Sequence, residues 1–390
     1  MSISESQSND LRVLAQAFID AGFSMANDSQ NRGFASTEEV LSTDELNAHK
    51  AVLLQIETSL LPQVRQQLAD LLKSFDIDAA DPDPRGCLEI LPTLETNIIR
   101  LNTAIQFLAP LDPHRWYHAS HIDCSYGVLK KFRIAYLGRK YKYFVSYPLF
   151  SLLRAYEKCL LAEWFPWSHH KDIIVGKTEK CLHIIDGMMR LSKRSDHDII
   201  QERWQAYLKF FDSLLTKQTE RINQTDRPIQ PQLLSLFQAN IPIIKLIRIF
   251  YRRITTTPAS KQSITFGAQM SSWQILSLQS EVSRIYKSLL RVSYAMDELD
   301  EHGQTEYSVG KLRRWINAPA EHLYSSAAFI ASYYEPSTSG LACHPPENLF
   351  KSLFLDLLTQ FRVASTEILT LASKLAPSVY ATEYFNFQNP

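Results

Sequence analysis

Ile275, Leu278, Val282, Ile285, Leu289, Val292, Met296 and Leu299 recur at spacings of three and four without a break. A strand would turn half of these side chains outward, whereas a helix sets all eight on one face. Burying such a face contributes roughly 1.5–3 kcal/mol per large side chain before ordering entropy is charged. Ser271, with Gln274 three positions on, reads as the capping box that starts this helix.

The same period recurs along the chain. One stripe runs Leu53, Ile56, Leu60, Val64, Leu68, Leu71, Phe75, and a second runs Leu91, Leu94, Ile98, Leu101, Ile105, Leu108. A third is Ile200, Trp204, Tyr207, Phe211, Leu214, and a fourth includes Phe350, Leu357, Phe361, Ile368, Leu371 and Leu375. Thr43 reads as an N-cap with Asp44 and Glu45 in the first turn, and Pro62 predicts a kink or a break. Further helices are expected over residues 121–137, 145–164, 170–193, 231–253 and 307–333. That over 231–253 is apolar on nearly all sides, which predicts burial between other helices, with Pro242 bending it. No convincing period-two stretch appears. The expected fold is all-α, with long antiparallel helices in two packed bundles.

Punctuation sets the expected organisation. Residues 1–42 read as a loose segment with a short amphipathic helix at Leu11, Leu14 and Phe18. One bundle is expected over 43–226 and a second over 227–380, divided by Arg227-Pro228 to Pro231, with a tail at 381–390. A chain of 390 residues is long enough for two cores, since one core stops growing near roughly 250–300 residues.

Composition narrows the function classes. Only 11 glycines are present, so phosphate-cradling loops are hard to build. The 41 basic and 41 acidic residues cancel, which argues against a dedicated nucleic-acid binder. No apolar run of the roughly 20 residues that span a membrane is read, and the polar start lacks a secretory h-region. The five cysteines are scattered, with no C-x-x-C pair, and read as mostly buried thiols of a reducing compartment.

Candidate chemistry fails at specific positions. Gly176-Lys177-Thr178 ends like a phosphate-binding loop, but the required earlier glycine is Lys171. Asp76, Asp78, Asp81 and Asp83 before Gly86 are broken by Ala80, Pro82 and Pro84, so the order of a calcium loop is lost. His114, His118, His121, Asp123 and Cys124 are the densest group of potential metal ligands, read as surface histidines near a helix start. No catalytic residue, metal ligand or cofactor is assigned, and the expected function is not enzymatic.

Two stretches are candidates for partner binding. Trp164, Phe165 and Trp167 flank Pro166 beside His169 and His170, and large aromatics at a helix end can anchor a partner. Lys140, Tyr141 and Lys142 belong to a run over 130–142 in which basic and aromatic residues interleave. Such a run grips single-stranded nucleic acid or forms a solvated helix face with its aromatics inward, and zero net charge favours the face.

Several stretches carry a family resemblance: SLLPQVRQQL from Ser59, the stripe Leu91 to Leu108, DIIQERW from Asp198, IPIIKLIRIFY from Ile241 and MSSWQ from Met270. In this order they resemble a large family of all-helical proteins from rust fungi. The layout resembles, more loosely, the cyclin-D-binding helical proteins of animals, as architecture alone. The rust-fungus resemblance implies a protein of a plant pathogen, with relatives that are candidate secreted effectors of the avirulence type. It implies delivery into the host cytoplasm and binding to a host protein, with detection by a plant immune receptor or kinase. The lack of a signal segment leaves two expectations, a mature secreted form or a helical scaffold of the fungal cytoplasm. A nucleic-acid module built on 130–142 is the alternative from another class.

Overall fold

The computed structural model describes Gln16 and residues 41–74, 84–108, 122–161, 167–226, 228–256, 264–266, 270–302, 306–332, 334–336 and 346–375. The fold is all-α, as the stripes require. Its one sheet among the described residues pairs Ile264–Phe266 (β1) antiparallel with Tyr334–Pro336 (β2). The chain divides into two compact units, one of Met1–Ser195 with Ser271–Trp273, the other of Asp196–Met270 with Gln274–Pro390. The boundary expected at 227 is therefore corrected to Ser195/Asp196. Residues 228–230 of the proline-marked stretch are a loop inside the second unit, between two helices that pack on each other.

In the first unit, α1 (Thr43–Gln55) starts from Ser42, not from Thr43 as its cap. The Ser42 hydroxyl accepts the Glu45 amide at 3.3 Å, and the Glu45 carboxylate accepts the Ser42 amide at 2.7 Å. Glu45 lies three positions from Ser42, the spacing that closes a capping box. A π turn at Ile56–Leu60 joins α1 to α2 (Leu61–Ser74). Pro62 brings no N–H for the carbonyl four residues back, and the backbone meets that deficit by widening one turn earlier. The helix α3 (Pro84–Leu108) packs on α2, and its stripe from Leu91 to Ile105 is buried.

A 3-10 segment at Asp123–Leu129 follows, with Gly127 at φ +60°, a conformation that suits glycine. Then α4 (Lys131–Phe144), a π turn at Val145–Leu149 containing Pro148, and α5 (Phe150–Leu161) run on without interruption. The break predicted between 137 and 145 is thus helical: a π turn containing Pro148 joins α4 to α5, as one joins α1 to α2, while 123–129 stays a separate 3-10 segment. Helix α6 (Trp167–Met189) packs on α2, α4 and α5. It runs antiparallel to α1–α2, since Glu57 Oε1 accepts the Ser192 amide at 3.1 Å while Arg65 pairs with Asp186 at 2.7 Å.

In the second unit, α7 (Asp196–Asn223) and α8 (Pro231–Thr256) lie antiparallel. Gln201 bonds the Ile254 carbonyl near one end, and Asn240 donates to Gln218 at 3.0 Å near the other. The helix α8 also packs on α12 (Pro346–Ser373), so two faces are covered, which explains its near-continuous apolarity. By length and composition α8 would suffice to cross a membrane, which corrects the reading that no run is long enough; half of it is buried within the unit. Helix α9 (Ser272–His302) buries all eight stripe residues from Ile275 to Leu299. It runs parallel to α7, held by Lys217–Asp297 at 3.2 Å and by the part-buried pair Arg221–Asp300.

The single helix predicted over 307–333 is two, α10 (Glu306–Ile316) and α11 (Ala318–Ser332). Pro319 has no N–H for a continuous helix. The chain turns at Asn317, whose carbonyl accepts the amides of Ala320 at 3.0 Å and Glu321 at 3.2 Å.

Candidate interaction surface

The run over 130–142 is mostly core. Tyr141 is 1% exposed, and its hydroxyl donates to the Ile98 carbonyl at 3.1 Å. Lys130 and Arg133 are buried, as are Phe132 and Tyr136. Arg133 Nη2 donates to the carbonyls of Leu191 at 2.8 Å and Arg194 at 2.7 Å, serving the turn that ends α6. Lys140 lies half-buried over the Tyr136 ring at 4.9 Å, and Lys142 is exposed. Tyr141 is thereby removed from the candidate partner-binding residues, and the 130–142 run presents no continuous basic face. A helix end needs donors for its last carbonyls, and a guanidinium supplies them from an adjacent helix.

The Trp164 and Phe165 candidates lie outside the described residues, as do His114, His118, His121, Cys343 and the linker around Asp76. Trp167 and His169 fall in the first turn of α6, with side chains outside the description. Gly176-Lys177-Thr178 sits within α6, where Lys177 donates to Ser151 at 2.5 Å and Thr178 to the Ile174 carbonyl at 2.9 Å. Asp123 is buried, and its carboxylate accepts the Lys131 amide and the Ser272 amide, each at 2.8 Å, and the Ser272 hydroxyl at 2.5 Å. These oxygens cap the starts of α4 and α9. Among the described residues no group of three or more His, Cys, Asp and Glu side chains is arranged to hold a metal.

A surface that the sequence reading passed over forms in the second unit along α9 and α10. On α9, Lys287, Arg291, Tyr294 and Glu298 follow one another at four, three and four residues, along a line beside the buried stripe. On α10, Tyr307, Lys311, Arg314 and Trp315 face the same way. The Arg291 guanidinium lies over the Trp315 ring at 4.1 Å, and Lys311 bonds Glu298 at 3.0 Å. Arg314 also lies over Trp315, at 5.1 Å, and Lys311 over Tyr307 at 4.8 Å. From α7, Lys217 reaches over Tyr294 at 5.4 Å. Tyr294 is 60% exposed and Tyr307 70%.

Large aromatics in water with cations stacked on them make a preordered, amphipathic surface. The rings supply area at little entropic cost and the guanidiniums supply donors. Tyr, Trp and Arg are also the residue types that dominate binding energy at protein interfaces. The signal in the sequence is an aromatic that falls off the core line, Tyr294 between Val292 and Met296, followed by Tyr307 and Trp315 eight apart.

Residues 49–193 match the family model of a domain of unknown function, DUF8723, and residues 195–370 match that of another, DUF8721. The division between the two matches falls beside the division between the two structural units. No curated protein and no solved structure matches the chain.

Proposed function

We propose that the chain is a non-enzymatic interaction protein, an effector of the rust-fungus type that binds a host protein. Its binding surface on this reading is the Arg291, Tyr294, Tyr307, Trp315 face of the second unit. The exposure of Tyr294 and Tyr307, each with one lysine over its ring, carries the reading. The resemblance of the runs from Ser59, Asp198, Ile241 and Met270 to fungal helical proteins supplies the setting: secretion, action in the host cytoplasm and detection by an immune receptor or kinase. No cofactor enters this reading, and the occupant of the face on it is a polypeptide of the host protein.

The test is affinity capture from plant-cell extract with wild type and with Tyr294→Ala/Tyr307→Ala. The same host protein should be retained by wild type and lost by the variant, with the melting temperature shifted by no more than about 2 °C, as for surface changes. Equal retention by both would reject this face. Capture from fungal extract alone would favour the scaffold reading over the effector.

A further inference from the structure

We propose that the Arg291–Trp315–Arg314 end of this face is a receptor for an acidic segment of the partner. The inference rests on the interaction reading above and specifies the chemistry of its partner. Arg291 and Arg314 both lie over the Trp315 ring, at 4.1 Å and 5.1 Å. Stacking fixes the plane of a guanidinium and leaves its edge N–H groups pointing outward, the geometry that meets a carboxylate with two parallel hydrogen bonds. Neither arginine pairs with a carboxylate among the described residues, and both are exposed. Lys287, one turn before Arg291, adds a third exposed cation at the same end.

The other end of the face differs. There Lys311 is matched by Glu298 and Lys217 by Asp297. Those carboxylates would repel the unbroken charge of a phosphate backbone, while a polypeptide with acidic residues at one end and apolar ones further along meets no such conflict. Charge complementarity thus favours an acidic peptide over nucleic acid.

Three labelled probes are titrated against the full chain: a Glu-Glu-Leu-Glu-Glu peptide, its Lys-for-Glu counterpart and an oligo-dT strand. Wild type should bind the Glu peptide, more weakly as salt rises, and should bind the Lys peptide at least about tenfold less well. Arg291→Glu/Arg314→Glu should lose about tenfold or more for the Glu peptide and gain the Lys peptide. Arg291→Lys/Arg314→Lys keeps the charge but not the fork, and should fall between them. Equal binding of both peptides by wild type, an unchanged Glu-peptide affinity in the reversal variant, or tighter binding of oligo-dT would each overturn the proposal. Loss of host-protein capture in Tyr294→Ala/Tyr307→Ala without any Glu-peptide binding by wild type would sink the acidic receptor alone. Glu-peptide binding without capture of a host protein would instead sink the effector reading.

Discussion

Arg133 shows how a charged letter in a sequence misleads about place. Its neighbours Lys130, Lys131, Arg139, Lys140 and Lys142 read as solvent-facing by charge, yet the Arg133 guanidinium is inside, serving the carbonyls of Leu191 and Arg194. Those carbonyls belong to a turn some sixty residues away in sequence, so no local pattern announces the need. Replacing Arg133 with Met keeps the aliphatic bulk and leaves buried acceptors without their donor, at a cost of about 2–4 kcal/mol. A urea denaturation of Arg133→Met with an undiminished midpoint would show that water serves those carbonyls instead. The thiols behave more simply. Burial pushes Cys159 up to about 11 and Cys181 up to about 12, while Cys124 is exposed. Iodoacetamide should therefore modify Cys124 first among the four described cysteines, and Cys87, Cys159 and Cys181 only once the fold opens. The raised values also fix the sign of a pH effect. The unfolded chain releases these protons near the ordinary thiol value of 9.0, so their contribution is fully present below that pH. It is lost as pH climbs toward the folded values. The urea midpoint should fall between about pH 9 and about pH 11, and fall less in Cys181→Ala.

At the scale of elements, the stripes were legible and their interruptions less so. Every member of the Ile275–Leu299 line is buried because periodicity alone defines a helix face. Ile285 sits at its centre with no exposure, so Ile285→Asp places a carboxylate where nothing can solvate it, and the chain should lose more than about 4 kcal/mol or fail to fold. Dichroism and melting like those of wild type would show the face has been misassigned. Proline within a helical run was harder to read, since among the described residues it has three different outcomes. At Pro92 and Pro242 the α-helix carries through; at Pro62 and Pro148 a π turn absorbs the missing donor; at Pro319 the helix ends and restarts. Which outcome occurs depends on what packs against the turn, which a single sequence does not contain. The aromatic–cation face was missed for a related reason. Tyr294 and Trp315 become neighbours of Lys217 and Arg291 only once α7, α9 and α10 lie side by side.

For the whole molecule, proline content misplaced the division of the chain, because the stretch after residue 226 joins two helices of one unit while the real boundary at Ser195/Asp196 has neither proline nor glycine. The first unit is also discontinuous in sequence, taking in Ser271–Trp273 from far down the chain. Its dependence on that segment is concrete. Ser272 gives its amide and hydroxyl to the buried Asp123 carboxylate, and its oxygen accepts the Phe132 amide at 2.8 Å. A fragment ending at residue 195 keeps Asp123 and Phe132 but loses these partners, leaving a buried carboxylate with fewer donors at the start of α4. Such a fragment should be markedly less stable than the same residues in the full chain. The cleaner test leaves the chain whole. Ser272→Ala removes the hydroxyl alone and keeps the amide that Asp123 also accepts, so the damage should be local to the Asp123–Phe132 corner. Amide exchange at Lys131 and Phe132 should quicken by about tenfold or more, the equivalent of roughly 1.4 kcal/mol, while exchange at Leu71 and Ile98 changes little. Unchanged exchange at Phe132 would mean that the hydroxyl is dispensable there and that the MSSWQ segment holds its place by packing alone.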